Sequence, residues 1–208
     1  SGPGSWQQRS TLGPLTAIWG SAPDNVWAVG QAGRVLRFDG VAWRAMDAST
    51  TSDLSAVWGT GPSDVFIGDV NGTVMHYDGT AFSSLSTGFL LPIAALHGTA
   101  SDNVYAGFGG RGGGMVRFDG KGWSPVSQAS GAFVTSIWAN APTDVYAAAA
   151  SCLIRLAGGR SLQQMECSNL RHSPTWLQAL DGIAQGGAVA VGLAGRIVLG
   201  RGATGGFY

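Results

Sequence analysis

Three observations predict an all-β fold, a five-bladed β-propeller with four antiparallel strands per blade. A unit of about 40 residues recurs five times along the 208-residue chain. Within each unit, short apolar segments alternate with period two and are bounded by glycine, which makes strands rather than helices. Composition agrees. Glycine reaches 34, while Lys121 is the only lysine and Glu166 the only glutamate. Strong helix formers are scarce and turn formers plentiful.

The units align on apolar-x-x-apolar-Trp-Gly, at 15–20, 54–59, 93–98, 134–139 and 177–182. The tryptophan position holds Trp19, Trp58, His97, Trp138 and Asp181, at steps of 39, 39, 41 and 43 residues. This segment is the first strand of each unit. A loop ending in Asp or Asn follows, then a second strand: "PDNVWAVG", "PSDVFIG", "SDNVYAG" and "PTDVYAA". A glycine turn leads to the third strand, "RVLRFDG", "TVMHYDG", "MVRFDG" or "LIRLAGG". Asp-Gly then makes a tight turn, and a fourth strand opens with Trp43, Phe82 or Trp123. Four short antiparallel strands per repeat is the signature of a propeller blade. A helical solenoid of the same period fails, because the segments are too short and too glycine-bounded.

The fifth unit runs through "AVAVGLAGRIVLG" and lacks a fourth strand. At the other end of the chain "SWQQRST", residues 5–11, matches "AWRAMDAST", with Trp6 in the place of Trp43. The N-terminal strand is therefore expected to complete the last blade and close the ring, leaving no open sheet edge. The chain reads as one domain, with blades at roughly 12–50, 51–89, 90–130, 131–170 and 171–208 plus 5–11. Residues 1–4 read as the scar of a cut expression tag.

The units resemble the Trp-Gly…Pro-x-Asp-Val-Trp…Tyr/Phe-Asp-Gly repeats of bacterial secreted and surface proteins, abundant in myxobacteria. In size and blade count the chain is similar to tachylectin-2, a five-bladed horseshoe-crab lectin, though it carries none of that protein's motifs. The resemblance covers almost the whole chain and implies a fold, together with a secreted, surface or periplasmic setting. It does not imply one function.

Charge excludes several classes. Twelve basic residues balance twelve acidic ones, so no phosphate-binding surface and no nucleic-acid partner is expected. No run approaches the roughly 18 apolar residues of a membrane span. His76, His97 and His172 have no metal-ligand spacing, and neither metal nor cofactor is expected. The glycine tract "GFGGRGGGM" lacks the Gly-Lys-Ser/Thr of a phosphate-binding loop. No Gly-x-Ser-x-Gly elbow occurs. A glycosidase needs two facing carboxylic groups, and only Asp181 stands on a first strand. The chain is expected not to be an enzyme.

In a repeat protein, residues that recur in register build the fold, and those that break register are the better site candidates. Seven of eight tryptophans recur. Asp24, Asp64, Asp102 and Asp144 precede second strands and are expected to bind loop amides, while Asp39, Asp78 and Asp119 serve the Asp-Gly turns. His97 and Asp181 replace Trp as satisfied structural substitutions. What remains is Phe89 in "STGFLLP", Phe108 and Arg111 in the glycine tract, Phe133, and Arg171, His172 and Trp176 in "CSNLRHSPTW". Their loops should all emerge on one face. Sugars bind by stacking on aromatics while polar groups take the hydroxyls, so these residues suggest a lectin-like site for a glycan or a cell-surface protein. A structural or protein-interaction ring is the alternative. Cys152 and Cys167 should lie on adjacent strand ends, a geometry compatible with a disulfide and with export. Two buried free thiols are the other possibility. A monomer is the default expectation.

Overall fold

The computed structural model describes residues 13–126, 131–150, 152–157, 161–167, 177–183, 187–195 and 197–200. These form five antiparallel sheets, each in simple up-and-down order. Sheet 1 holds β1 (Leu15–Ala22), β2 (Asn25–Gly30), β3 (Val35–Phe38) and β4 (Trp43–Met46). Sheet 2 holds β5 (Leu54–Gly61), β6 (Asp64–Asp69), β7 (Thr73–Tyr77) and β8 (Phe82–Ser86). Sheet 3 holds β9 (Ile93–Ala100), β10 (Asn103–Phe108), β11 (Met115–Phe118) and β12 (Trp123–Pro125). Sheet 4 holds β13 (Val134–Ala141), β14 (Asp144–Ala149), β15 (Cys152–Ala157) and β16 (Ser161–Cys167). Sheet 5 has three described strands, β17 (Leu177–Ile183), β18 (Gly187–Gly192) and β19 (Ile197–Gly200). The register repeats: Trp19 pairs with Trp27, Trp58 with Phe66, His97 with Tyr105, Trp138 with Tyr146 and Asp181 with Val189.

Each sheet packs face to face on the next, and each seam has its own core. The forward face of sheet 1 (Trp27, Val29, Val35) buries against the backward face of sheet 2 (Leu54, Ile67, Tyr77). Sheet 2 meets sheet 3 through Trp58 and Phe66 on one side and Ile93 and Val104 on the other. Sheets 3 and 4 share a core that includes Tyr105, Ile137 and Ile154. Sheets 4 and 5 share one built on Tyr146, Leu177 and Ala190. Among the described residues, no core joins sheet 5 to sheet 1. The expected closing strand, residues 5–11, lies outside the described residues.

Strict period-two alternation is not what the second strands show. β6, β10 and β14 are buried along nearly their whole length, because a sheet packed on both sides has no solvent face. The fourth strands β4 and β8 are largely exposed, since they lie at the outer edge.

The Trp-Gly pair is the joint between sheets. A Cβ added at Gly59 would lie 2.9 Å from the Trp19 ring, and one at Gly98 would lie 2.8 Å from the Trp58 ring. At Gly182 it would run into Trp138. Each tryptophan thus lies on the glycine of the following sheet. A hydroxyl clip reinforces three seams. Thr16 Oγ1 donates to Leu54 O at 2.5 Å, Ser55 Oγ to Ile93 O at 2.7 Å, and Thr135 Oγ1 to Leu177 O at 2.8 Å.

The seam between sheets 3 and 4 is built differently. Ala94 stands where the others have a hydroxyl, and His97 stands where they have Trp. The smaller imidazole leaves room for a methyl group, and the next sheet has Ala139 in place of glycine. The Ala139 amide donates to His97 Nδ1 at 3.1 Å. Burial holds the His97 pKa below its ordinary 6.5, opposed by the Asp181 carboxylate and by a backbone hydrogen bond to Gly98. The unfolded chain therefore binds this proton more tightly than the folded one, so stability is lost as pH falls through about 6.5 towards the lower folded value. Melting temperatures between pH 7.5 and 5 should show this loss in the wild type and less of it in His97→Gln; equal losses in both would refute the assignment.

Candidate functional site

Several charged groups lie close enough to suggest chemistry, and the repeat explains them. His76 Nε2 lies 2.7 Å from Asp64 Oδ1. Arg155 Nε donates to Asp144 Oδ1 at 2.7 Å, and Arg117 Nε donates to Asn103 Oδ1 at 2.6 Å. In sheets 1, 2 and 4 the third-strand polar group also lies against the second-strand aromatic. Arg37 sits over Trp27 and Arg155 over Tyr146, both at 5.4 Å, and His76 stacks on Phe66 at 4.3 Å. A third-strand group that makes one or both of these contacts in each of sheets 1–4, packed between sheets, is a strut; in sheet 1 Arg37 makes the ring contact alone, and its Nε has no hydrogen-bond partner. The His76–Asp64 pair has the look of a catalytic dyad but occupies a strut position.

This column also corrects the sequence alignment. The equivalent positions are Asn25, Asp64, Asn103 and Asp144, each opening a second strand. Asp24 and Asp102 lie one residue earlier. Asp64 and Asp144 bind the third-strand cation or imidazole, together with Thr60 and Asn140, rather than loop amides. A chain read by spacing alone cannot tell Asp-Asn from Ser-Asp before a strand, because either can supply the oxygen.

The Asp-Gly turns do behave as expected. Asp39 Oδ1 accepts from the amides of Val41 and Ala42, Asp78 Oδ1 from Thr80 and Ala81, and Asp119 Oδ1 from Lys121 and Gly122. These amide donors hold all three carboxyls below the ordinary carboxylate range, aided by Arg44 at Asp39 and the Thr80 hydroxyl at Asp78.

The register-breaking loops interlock on one face. Gly33 N donates to Ser52 O, Thr87 Oγ1 to Gly72 O, Gly109 N to Pro92 O, Gly131 N to Gly113 O, and Ala150 N to Phe133 O. Connections between sheets thus grip the turns joining second and third strands. Phe89, Arg111 and Phe133 are all carried here. Phe108 closes β10 beneath them and is fully buried, with its ring 4.8 Å from that of Phe89. Phe108 is therefore part of the core and offers no stacking surface, because the glycine tract folds over it: a Cβ at Gly113 would come within 2.9 Å of it. Phe89 is half-buried and packs on the same core with Leu91, while Leu90 between them is 91% exposed. Arg111 is exposed at the loop tip, and Phe133 is half-buried. Leu90 is the surface residue that sequence reasoning passed over. The run Phe-Leu-Leu lies between β8 and β9, outside any strand, so no local periodicity marks which of the three faces water. Arg171, His172 and Trp176 lie outside the described residues.

On the first strands, Asp181 is exposed and accepts from its neighbour's amide, Gly182 N, at 2.7 Å. Cys152 is disulfide-bonded, and the register sets its backbone opposite Cys167, the chain's other cysteine.

No protein-family model and no curated protein sequence matches this chain. Solved structures do. It is similar to virginiamycin B lyase from Staphylococcus aureus (TM-score 0.73, 10% identity), covering 89% of this chain and 66% of that one. It is similar to YCF48 bound to D1 peptide (TM-score 0.65, 14% identity), covering 94% and 66%. It is also similar to the extracellular domain of BT4673, a putative one component system from B. thetaiotaomicron (TM-score 0.73, 16% identity), covering 97% of this chain and 29% of that one. The chain thus spans about two thirds or less of the length of these propellers. Likeness at such low identity speaks to fold alone, and with the repeated four-stranded antiparallel sheets it identifies the architecture of this chain as that of a β-propeller.

Proposed function

We propose that this chain is a non-catalytic binding module, exported or displayed at a cell surface, that takes its ligand on the loop face. What supports this reading is the division of labour in the molecule. Recurring polar residues are struts and turn clasps, whereas the described loop residues that break register, Phe89, Arg111 and Phe133, lie on one face, where Leu90 and Arg111 are exposed. The disulfide-bonded Cys152 suits an oxidising compartment. One structural neighbour is an extracellular domain. The same reading makes the module five-bladed, with residues 5–11 supplying a fourth strand beside β19.

A lectin-like site would draw on Trp176 and Phe133 for stacking and on Arg111, Arg171 and His172 for hydroxyls. A protein ligand is the second reading. It is favoured by the burial of Phe108 and the outward turn of Leu90, which leave an aliphatic group rather than an aromatic platform on the described part of the face. A glycan array of the full chain separates the two. For the lectin reading, Trp176→Ala is expected to weaken a bound glycan at least about tenfold, equivalent to about 1.4 kcal/mol. Glycan binding unchanged in both Trp176→Ala and Arg111→Ala would move the site off this face. A blank array would remove the lectin reading in favour of the protein one.

A further inference from the structure

Sheet 1 departs from its neighbours at the strut. In sheets 2, 3 and 4 the residue opening the second strand gives an oxygen to the third-strand group. Asp64 Oδ1 lies against His76, Asn103 Oδ1 accepts from Arg117, and Asp144 Oδ1 accepts from Arg155. In sheet 1 the same oxygen, Asn25 Oδ1, accepts from Trp27 Nε1 at 3.2 Å. The second-strand aromatic is the cause. Phe66, Tyr105 and Tyr146 have no ring N–H. The Trp27 indole carries one and is fully buried, so it must find an acceptor inside the protein. Asn25 Nδ2 donates to Ser21 Oγ at 2.7 Å, which fixes the amide in this orientation.

Arg37 is left with the Trp27 ring, 5.4 Å from its guanidinium carbon. Its Nε is buried and has no hydrogen-bond partner. Among the described residues, the ion pairs are Arg44–Asp39, His76–Asp64 and Arg155–Asp144, so no carboxylate compensates Arg37.

The fourth strand brings a second cation to the same place. Arg44 on β4 stands directly opposite Arg37 on β3. Residues so opposed project from one face of a sheet, with their Cβ atoms about 5 Å apart. The corresponding residue is Ser83 in sheet 2, Ser124 in sheet 3 and Gln163 in sheet 4. Of these four sheets, only sheet 1 sets like charges against each other, an arrangement that is destabilising by itself. Asp39 Oδ2 accepts from Arg44 Nε at 2.6 Å and offsets one of the two charges. One positive charge remains. The buried Nε leaves Arg37 its two Nη groups for a ligand, and the Arg44 side chain beside it is 69% exposed.

We infer that Arg37 and Arg44 form a binding site for a carboxylate group, next to the Asp-Gly turn of sheet 1 and at the opposite end of the strands from the loop face. A carboxylate presents two coplanar oxygens, which match the two Nη groups of a guanidinium. Its single charge balances the single excess charge, whereas a doubly charged phosphate would leave negative charge in excess beside Asp39. This site does not depend on the loop-face reading above.

Acetate is the probe. It is titrated into the full chain at constant ionic strength, with chloride making up the balance, and the Nε–H signals of Arg37 and Arg44 are followed by NMR. Both signals should shift and saturate in the millimolar range. Arg44→Ser should weaken binding at least about threefold, as befits an exposed charge. Arg37→Gln should weaken it at least about tenfold, as befits a charge-assisted hydrogen bond. Circular dichroism checks both folds, and Arg44→Ser carries the test if Arg37→Gln does not fold. Lys121→Gln removes an equal charge from the turn of sheet 3 and should bind acetate as the wild type does. Shifts that grow linearly with acetate, or that chloride reproduces, overturn the proposal. So does an equal loss in Lys121→Gln, which would reduce the effect to overall charge. Tighter binding of inorganic phosphate than of acetate would overturn the carboxylate assignment.

Discussion

Gly98→Ala is expected to lower stability by about 1–3 kcal/mol, the usual cost of overpacking a filled core. The new Cβ would come within 2.8 Å of the Trp58 ring and 2.5 Å of the Asn103 carbonyl. The ring is the decisive neighbour. Ala139 occupies the same register position in sheet 4, pairing with Val145 as Gly98 pairs with Val104, so the strand geometry itself accepts a methyl group. What differs is the group lying over it, an imidazole at the later seam and an indole at the earlier one. The two positions should therefore be coupled. In a cycle of Gly98→Ala, Trp58→His and the double variant, the alanine should cost at least about 1 kcal/mol less once Trp58 is gone. Urea unfolding measures all three. Additive costs would show that the Trp-Gly pair is not the joint between sheets.

Loss of the bridge at Cys152 is the second large effect. Linking Cys152 to Cys167 closes a loop of about 15 residues, and constraining such a loop in the unfolded chain stabilises by about 3 kcal/mol. It also ties β15 to β16 at the end of sheet 4, next to sheet 5. Cys152→Ser and reduction of the wild type should lower the melting temperature by similar amounts, and reductant should leave Cys152→Ser unchanged. A wild type indifferent to reductant would mean that the bridge contributes nothing to stability.

Much of the fold was legible because a propeller repeats its physics with its sequence. The spacing of Trp19, Trp58, His97 and Trp138 placed the first strands, and the glycine and Asp-Gly turns placed the others. The turn carboxylates Asp39, Asp78 and Asp119 were legible too, since an aspartate binding amides two and three residues on is a local event. Less was legible where a residue's role depends on a neighbour distant in sequence. Asp64 reaches an imidazole twelve residues away and Asp144 a guanidinium eleven residues away, and no local pattern separates that from a loop clasp.

The candidate site shows the same limit. Phe89, Leu90 and Leu91 are three apolar residues in one loop, and sequence alone gives no sign which of them faces water. Phe108 breaks register and reads as a surface residue, but the glycine tract that marks it out is the cover that buries it. Strand and turn preferences act within a few residues, so the order of the amino acids already dictates β-sheets of one repeated design. Which side chains become struts and which become core is set by the packing of one sheet on the next. Burial is set by the neighbouring sheet, and what the neighbouring sheet offers is not written in the strand that meets it.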